Sequence, residues 1–194
     1  MEIVKKFWWV ALLGIIVFWF IGIYNGMAGK DQVVKSAWGD VESDYQRRSD
    51  LIPNLVSTVK GYANFEQETL TKVIEARASA TQVKIDASNL TPENMAAFQQ
   101  AQSGLSSSLG RLLAVSENYP DLKANQNFLD LQAQLEGTEN RISVSRKRFN
   151  EAVLSFNTSI VGFPRSLIAG FGGFKEKGYF KADAGAEKAP AVKF

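Results

Sequence analysis

Asp40, Asp44 and Arg48 stand at successive four-residue steps, and the stretch RRSDLIPNL runs from Arg47 to Leu55. On a helix, steps of four fall on one face, so two carboxylates and a guanidinium would form a ladder there. Two carboxylates one turn apart could hold a hydrated divalent cation; with a cation next in line they equally make a salt-bridged face. Asp40, Asp44, Arg47, Arg48 and Asp50 could surround a metal-bound phosphate or sugar, and the arginines, Asp50 and Asn54 could form a polar site of their own. Such a site would lack a nucleophile and a base of suitable pKa. The chain contains no histidine and no cysteine. That removes imidazole bases, thiolate nucleophiles, zinc sites built on either, disulfides and a lipidated cysteine. The 22 basic and 20 acidic residues are interspersed and leave a net charge of +2, so no basic field exists to neutralise a nucleic acid backbone. The expectation is a protein without catalytic residues, cofactor, resident metal or nucleic acid partner.

The bland reading of RRSDLIPNL is a joint that ends or kinks one helix and begins the next. Asp50 as N-cap would put Leu51, Ile52 and Pro53 in a first turn, where proline is tolerated and a carboxylate suits the positive helix end. Leu51, Ile52 and Leu55 would then secure the corner in the core. Arg47 and Asn54 would satisfy polar groups freed at the break.

The elements that must position this stretch begin with a hydrophobic one. Phe7 to Gly29 carries no charge, and at about 1.5 Å per residue it crosses a hydrocarbon layer of roughly 30 Å. Trp8, Trp9, Trp19 and Tyr24 lie toward its ends, where amphipathic rings favour headgroup depth. A cleaved signal peptide would carry an apolar core of about 7 to 15 residues, and this one is longer, so residues 1–29 read as a retained anchor in a lipid bilayer. Gly14, Gly22 and Gly26 share a stripe that either lets two anchors approach or is merely tolerated in a membrane helix. Lys5 and Lys6 precede the span while Lys30, Lys35, Arg47 and Arg48 follow it; the balance leans to an N-terminus inside and a body outside the cytoplasm.

Residues 30–163 read as a bundle of long helices. Val34, Ala37, Trp38, Val41, Tyr45 and Arg48 form a first stripe, and a second runs from Leu55 through Val59, Leu70 and Val73 toward Arg77. Thr91-Pro92 is an N-cap with proline at the first helical position, opening a helix that ends near Glu117. The clearest pattern alternates steps of three and four. Leu135, Ile142, Phe149, Phe156 and Phe163 form its large register, and Thr138, Ser145, Ala152 and Ser159 its small one. Small side chains admit a neighbouring helix closely, as in an antiparallel bundle. Residues 164–194 are glycine-rich and aromatic, and read as an irregular tail. Phe163, Phe171, Phe174, Tyr179, Phe180 and Phe194 around it either pack back on the helices or bind something else.

RRSDLIPNLVSTVKGYANFEQETL closely resembles the signature of the LemA family, and the match continues through YPDLKANQNFLDLQAQLEGTENRISVSRKRFNEAVLSFNTSIVGFP to GYFKADAGAEKAPAVKF. The resemblance covers essentially the whole chain. It implies an all-α, single-pass protein of the bacterial inner membrane with an antiparallel helical bundle and no established catalytic activity. Some relatives are encoded beside membrane metalloproteases, so the resemblance also suggests a protease partnership. The family often has histidine near the position where this chain has Phe65. From the surplus apolar surface comes a further expectation: a scaffold that assembles as a homo-oligomer.

Overall fold

The computed structural model describes residues 2–61 and 66–182, with side chains described from residue 7 onward. Among the described residues there are six helices: α1 (Glu2–Lys60), α2 (Gln67–Gln82), α3 (Pro92–Ser116), the single turn α4 (Pro120–Lys123), α5 (Gln126–Val161) and α6 (Arg165–Gly172). The protein is all-α. Helix α1 has 59 residues, about 88 Å at 1.5 Å per residue, and its first part is long and apolar enough to cross a membrane.

The rest of α1 is one rod of an up-and-down bundle. Lys30 of α1 reaches the Ser155 carbonyl of α5 (3.2 Å) and Arg48 reaches Glu139 (2.6 Å), so the two helices run antiparallel. Helix α2 folds back from the tip of α1 and pairs with α3, which brings Phe98 to Tyr45 and Ser106 to Arg48. Caps set the starts where the sequence suggests them: the Thr91 hydroxyl accepts from Asn94 N–H, and the Asn125 side chain accepts from Phe128 N–H.

The heptad pattern of α5 faces α1. Leu135, Ile142, Phe149 and Phe156 are buried, as are Thr138, Ser145 and Ser159, with Ala152 partly buried. The small register hides its polarity by bonding to its own helix: Thr138 donates to the Gln134 carbonyl, Ser145 to Ile142 and Ser159 to Phe156. Phe163 departs from the pattern. Helix α5 ends at Val161, and Phe163 lies beyond it, 84% exposed.

The expected break at Pro53 is absent, and α1 continues through it to Lys60. Asp50 is therefore an exposed mid-helix residue that accepts from Gln46 (2.7 Å), and is not an N-cap. A helical proline removes the N–H that would have bonded the carbonyl four residues back, here Ser49. The Nε of Arg77, from α2, donates to that carbonyl at 2.9 Å. The orphan acceptor created by Pro53 is thus satisfied from another helix, and neither Arg47 nor Asn54 supplies the bond. The chain turns at Gly61 and restarts at Gln67, so the second stripe is divided between α1 and α2.

The buried apolar residues fall into two clusters. Near the membrane end, Trp38, Tyr45, Phe98, Phe149, Phe156 and Phe180 dominate. At the far end, Leu55, Val59, Leu70, Val73, Leu109 and Leu112 make an aliphatic core with Phe128. The tail is not wholly irregular. It contains α6, whose Ile168 and Ala169 join the membrane-end cluster, and a residue-173 cap in which Gly173 takes φ of 72° while Phe174 N–H reaches back to the Ala169 carbonyl (3.0 Å).

Candidate functional site

Two features collect polar chemistry inside the bundle. The first is Arg48, which turns inward instead of completing a ladder with Asp40 and Asp44. It is 1% exposed, and sits between the aromatic and aliphatic clusters. Its guanidinium donates to Ser106 Oγ (2.7 Å), Gln102 Oε1 (2.6 Å) and Glu139 Oε1 (2.6 Å), and lies 4.9 Å from the centre of the Tyr45 ring. Its Nε and the neighbouring Ser49 hydroxyl are buried without a partner. Gln102 is held in turn by the Ala80 carbonyl (3.3 Å). A planar fork bonded on two sides fixes the relative height of α1, α3 and α5.

Asp40 and Asp44 line a surface groove with Arg141 and Arg148 of α5. The carboxylates thus face guanidinium groups from another helix, and among the described residues no group of three or more acidic side chains stands close enough to hold a metal ion. Arg47 and Asn54 are exposed and share a separate groove with Asp50 and Thr138. Ile52 and Leu55 are buried in the aliphatic core and Leu51 is partly buried against it. The RRSDLIPNL residues are therefore dispersed: Arg48, Ile52 and Leu55 inward, and Arg47, Asp50, Pro53 and Asn54 toward solvent. They do not converge on one site.

The second feature is a groove occupied by the chain's own tail. After Gly173 the backbone runs extended along α5 and α3 toward residue 182. The Asn157 side chain accepts from Lys177 N–H (3.0 Å) and donates to the Lys177 carbonyl (2.9 Å). Asn150 does the same for Phe180 (2.9 Å each way), and Gln99 for Lys181 (3.0 and 2.8 Å). A primary amide presents a donor and an acceptor side by side, as the N–H and C=O of a single extended residue lie, so each of these side chains pairs with one residue's backbone as a neighbouring strand would. Gly178 N–H adds a bond to the Leu90 carbonyl (2.9 Å). A Cβ at Gly178 would lie 2.7 Å from the Pro92 Cα, so only glycine lets the segment approach there.

Side chains then key the segment in place. Phe180 enters a pocket of rings: Phe149 at 5.5 Å, Trp38 stacked at 6.2 Å and Phe98 at 6.3 Å, with the Arg146 guanidinium 5.0 Å from its ring centre. Lys177, 8% exposed, meets Asp31 of α1 at 2.8 Å and lies 5.1 Å from the centre of the Phe156 ring. Burial pushes the Asp31 carboxyl up, but hydrogen bonds from Lys177 and Lys35, with their charges, outweigh it and hold the carboxyl below its ordinary value.

Of the expected tail aromatics, Phe180 is buried, Phe174 is partly buried against Tyr24 (5.4 Å) and Phe156 (6.1 Å), and Tyr179 is 39% exposed with its hydroxyl near Asn157 (3.2 Å). Phe171 is 86% exposed, and Phe194 lies outside the described residues. In the apolar stretch, Trp8, Trp9 and Trp19 are exposed, and a Cβ added at Gly14, Gly22 or Gly26 would meet nothing within 4 Å, so these glycines mediate no close approach inside the chain.

Sequence reasoning missed Asn150, Asn157 and Gln99. A signal was present: asparagine is a poor helix former, yet Asn150 and Asn157 sit seven apart, each directly after a buried phenylalanine of the seam.

Residues 37–194 match the family model described as "LemA family". The chain is 25% identical over 170 residues to Protein LemA of Metamycoplasma hominis, covering 86% of this chain and 74% of that protein. It is also 25% identical over 179 residues to the magnetosome protein MamQ 2 of Paramagnetospirillum magneticum, and 24% identical over 178 residues to MamQ of Magnetospirillum gryphiswaldense. Each of these two matches takes in 81% of this chain but only 64% of the relative's length. With the family model spanning the bundle, the docked segment and the chain's end, the chain belongs to the LemA family.

Proposed function

We propose that this protein is a membrane-anchored scaffold, without a catalytic step, whose bundle receives an extended segment of the Lys-Gly-Tyr-Phe kind. In a single copy the occupant is its own tail; in an assembly it is the same segment of a neighbouring copy. The observation that carries this reading is the clamping of the Lys177, Phe180 and Lys181 backbones by the Asn157, Asn150 and Gln99 amides, around an aromatic pocket filled by Phe180. Backbone pairing supplies affinity and the ring pocket supplies selection, the division of labour found where proteins recognise extended peptides. A groove that accepts the segment within one chain accepts it equally from another, which is the economy of domain swapping. In this reading the N-terminus lies inside the cell and the bundle outside the cytoplasm, with Lys5 and Lys6 as the cytoplasmic flank.

The absence of native cysteine makes the test clean. Two full-length versions, one carrying Gln99→Cys and the other Lys181→Cys, are co-expressed and oxidised in native membranes. Exchange of the segment yields a disulfide between copies and a mass above one copy in mild detergent. If the disulfide forms only when both substitutions share one chain, and the mass is that of a monomer, the assembly reading fails.

A further inference from the structure

Helix α6 lies at the height where α1 would leave a bilayer. Ile168 and Ala169 pack into the membrane-end core beside Met27, and a Cβ at Gly172 would come within 2.9 Å of the Tyr24 ring. Arg165 shares a cavity of 320 Å³ with Trp19, Gly22, Gly26 and Lys30. The helix therefore sits alongside the last third of the apolar stretch, between the headgroup-seeking rings Trp19 and Tyr24 and the first cation beyond them. Its other side is apolar and bare. Leu167 and Phe171, four residues apart on α6, are 57% and 86% exposed, and Phe163, in the turn that leads into the helix, and Val161, the last residue of α5, are 84% and 61% exposed.

We propose that α6 is a second membrane contact: an interfacial helix that buries the Phe163, Leu167 and Phe171 ridge at the headgroup–acyl boundary of the leaflet through which α1 exits. Arg165 and Lys30 then stand at phosphate depth. The argument rests on continuity. The ridge adjoins the lipid-facing surface of the span, at the same height, and an apolar face flanked by cations is the composition that lies in this plane. The consequence is a bundle seated on the bilayer through two points, with the docked tail segment starting from the membrane surface. This rests on reading the apolar part of α1 as a membrane span.

Single cysteines at Leu167, Phe171, Phe18 and Val144 of the full-length protein, each carrying a small fluorophore, report depth in vesicles of phosphatidylcholine and phosphatidylglycerol. Phe18 lies in the apolar stretch and is 78% exposed; Val144 lies on α5, opposite Asp40 and Asp44, and is 51% exposed. Quenchers attached to the lipid at shallow or deep positions are compared. The expected result is shallow quenching at Leu167 and Phe171 that exceeds that at Val144 several-fold, with deep quenching at Phe18. Positions 167 and 171 behaving like 144 while 18 is quenched would overturn the proposal and leave the span intact. Loss of quenching at 18 as well would overturn both. Self-quenching at 167 and 171 that vanishes on diluting the protein in lipid would assign the ridge to a second copy instead.

Discussion

The membrane-end half of the bundle is built from rings and the far half from aliphatic side chains, and among the described residues it is the ringed half that takes an extended tail segment into its core. Branched aliphatic residues interdigitate at two seams and close the space between helices by themselves. Trp38, Phe98 and Phe149 meet edge to face and hold a slot of ring width open between α1, α3 and α5, which Phe180 fills. The near half is completed by a segment of tail that enters it as a covalently attached ligand would.

The largest effect expected from breaking this contrast is Phe149→Ala, which removes the ring touching both Trp38 and Phe180 and should cost about 3–5 kcal/mol. Leu112→Ala at the far end should cost about 2–5 kcal/mol while the tail stays docked. Thermal unfolding gives the totals. Amide exchange at Gly178 and Phe180 separates the two, rising strongly for the first variant before global unfolding and not for the second.

The boundary between the halves comes next. Glu139 is 46% exposed while Arg48 is 1% exposed, so the two partners are not equivalent. Arg48→Met leaves a carboxylate that water can reach, and should cost about 1–3 kcal/mol, chiefly through the lost bonds to Gln102 and Ser106. Glu139→Ala leaves a buried guanidinium without counter-charge, and should cost about 3 kcal/mol or more. Equal costs in chemical denaturation would mean that the hydrogen-bond network, and not the charge, holds this layer.

Smaller still is the effect at Pro53. Pro53→Ala restores the N–H that bonds the Ser49 carbonyl, so Arg77→Met should destabilise the natural chain by about 1 kcal/mol and the Pro53→Ala chain by less. A double-mutant cycle measures the difference; independence of the two sites would refute the compensation.

The least effect is expected from acid, and it should touch only the ringed half. Asp31 is held below its ordinary carboxylate value, so its contribution through Lys177 is fully present above that value and is lost as pH falls through the lowered one. Titrating amide exchange at Gly178 should show the segment loosening in that acid range, and Asp31→Asn should remove the pH dependence.

What was legible in the sequence was whatever repeats locally. The three-and-four pattern from Leu135 to Ser159 marks the face that α5 buries, and Thr91-Pro92 marks the start of α3. Pro53 misled because its usual consequence, a broken helix, was cancelled by Arg77 from 24 residues further along, which no local pattern announces. Arg48 was legible in part: it continues the stripe that α1 buries, but its partners were not foreseen. Four-residue spacing placed it with Asp44, but its partners Gln102, Ser106 and Glu139 come from two other helices. The docking groove was the least legible, since its clamps come from α3 and α5 and acquire meaning only when an extended backbone lies between them. The aromatic surplus of the tail was visible; its destination was not.

Helix α1 runs unbroken from the apolar stretch to the tip of the aliphatic core. On the proposed reading of the apolar stretch as an anchor, a body joined to it by a flexible linker would swivel freely above the membrane, but a body whose central strut is the anchor inherits that anchor's tilt and azimuth. Any lateral contact that orients one end of such a lever orients the other, some 88 Å away at about 1.5 Å per residue.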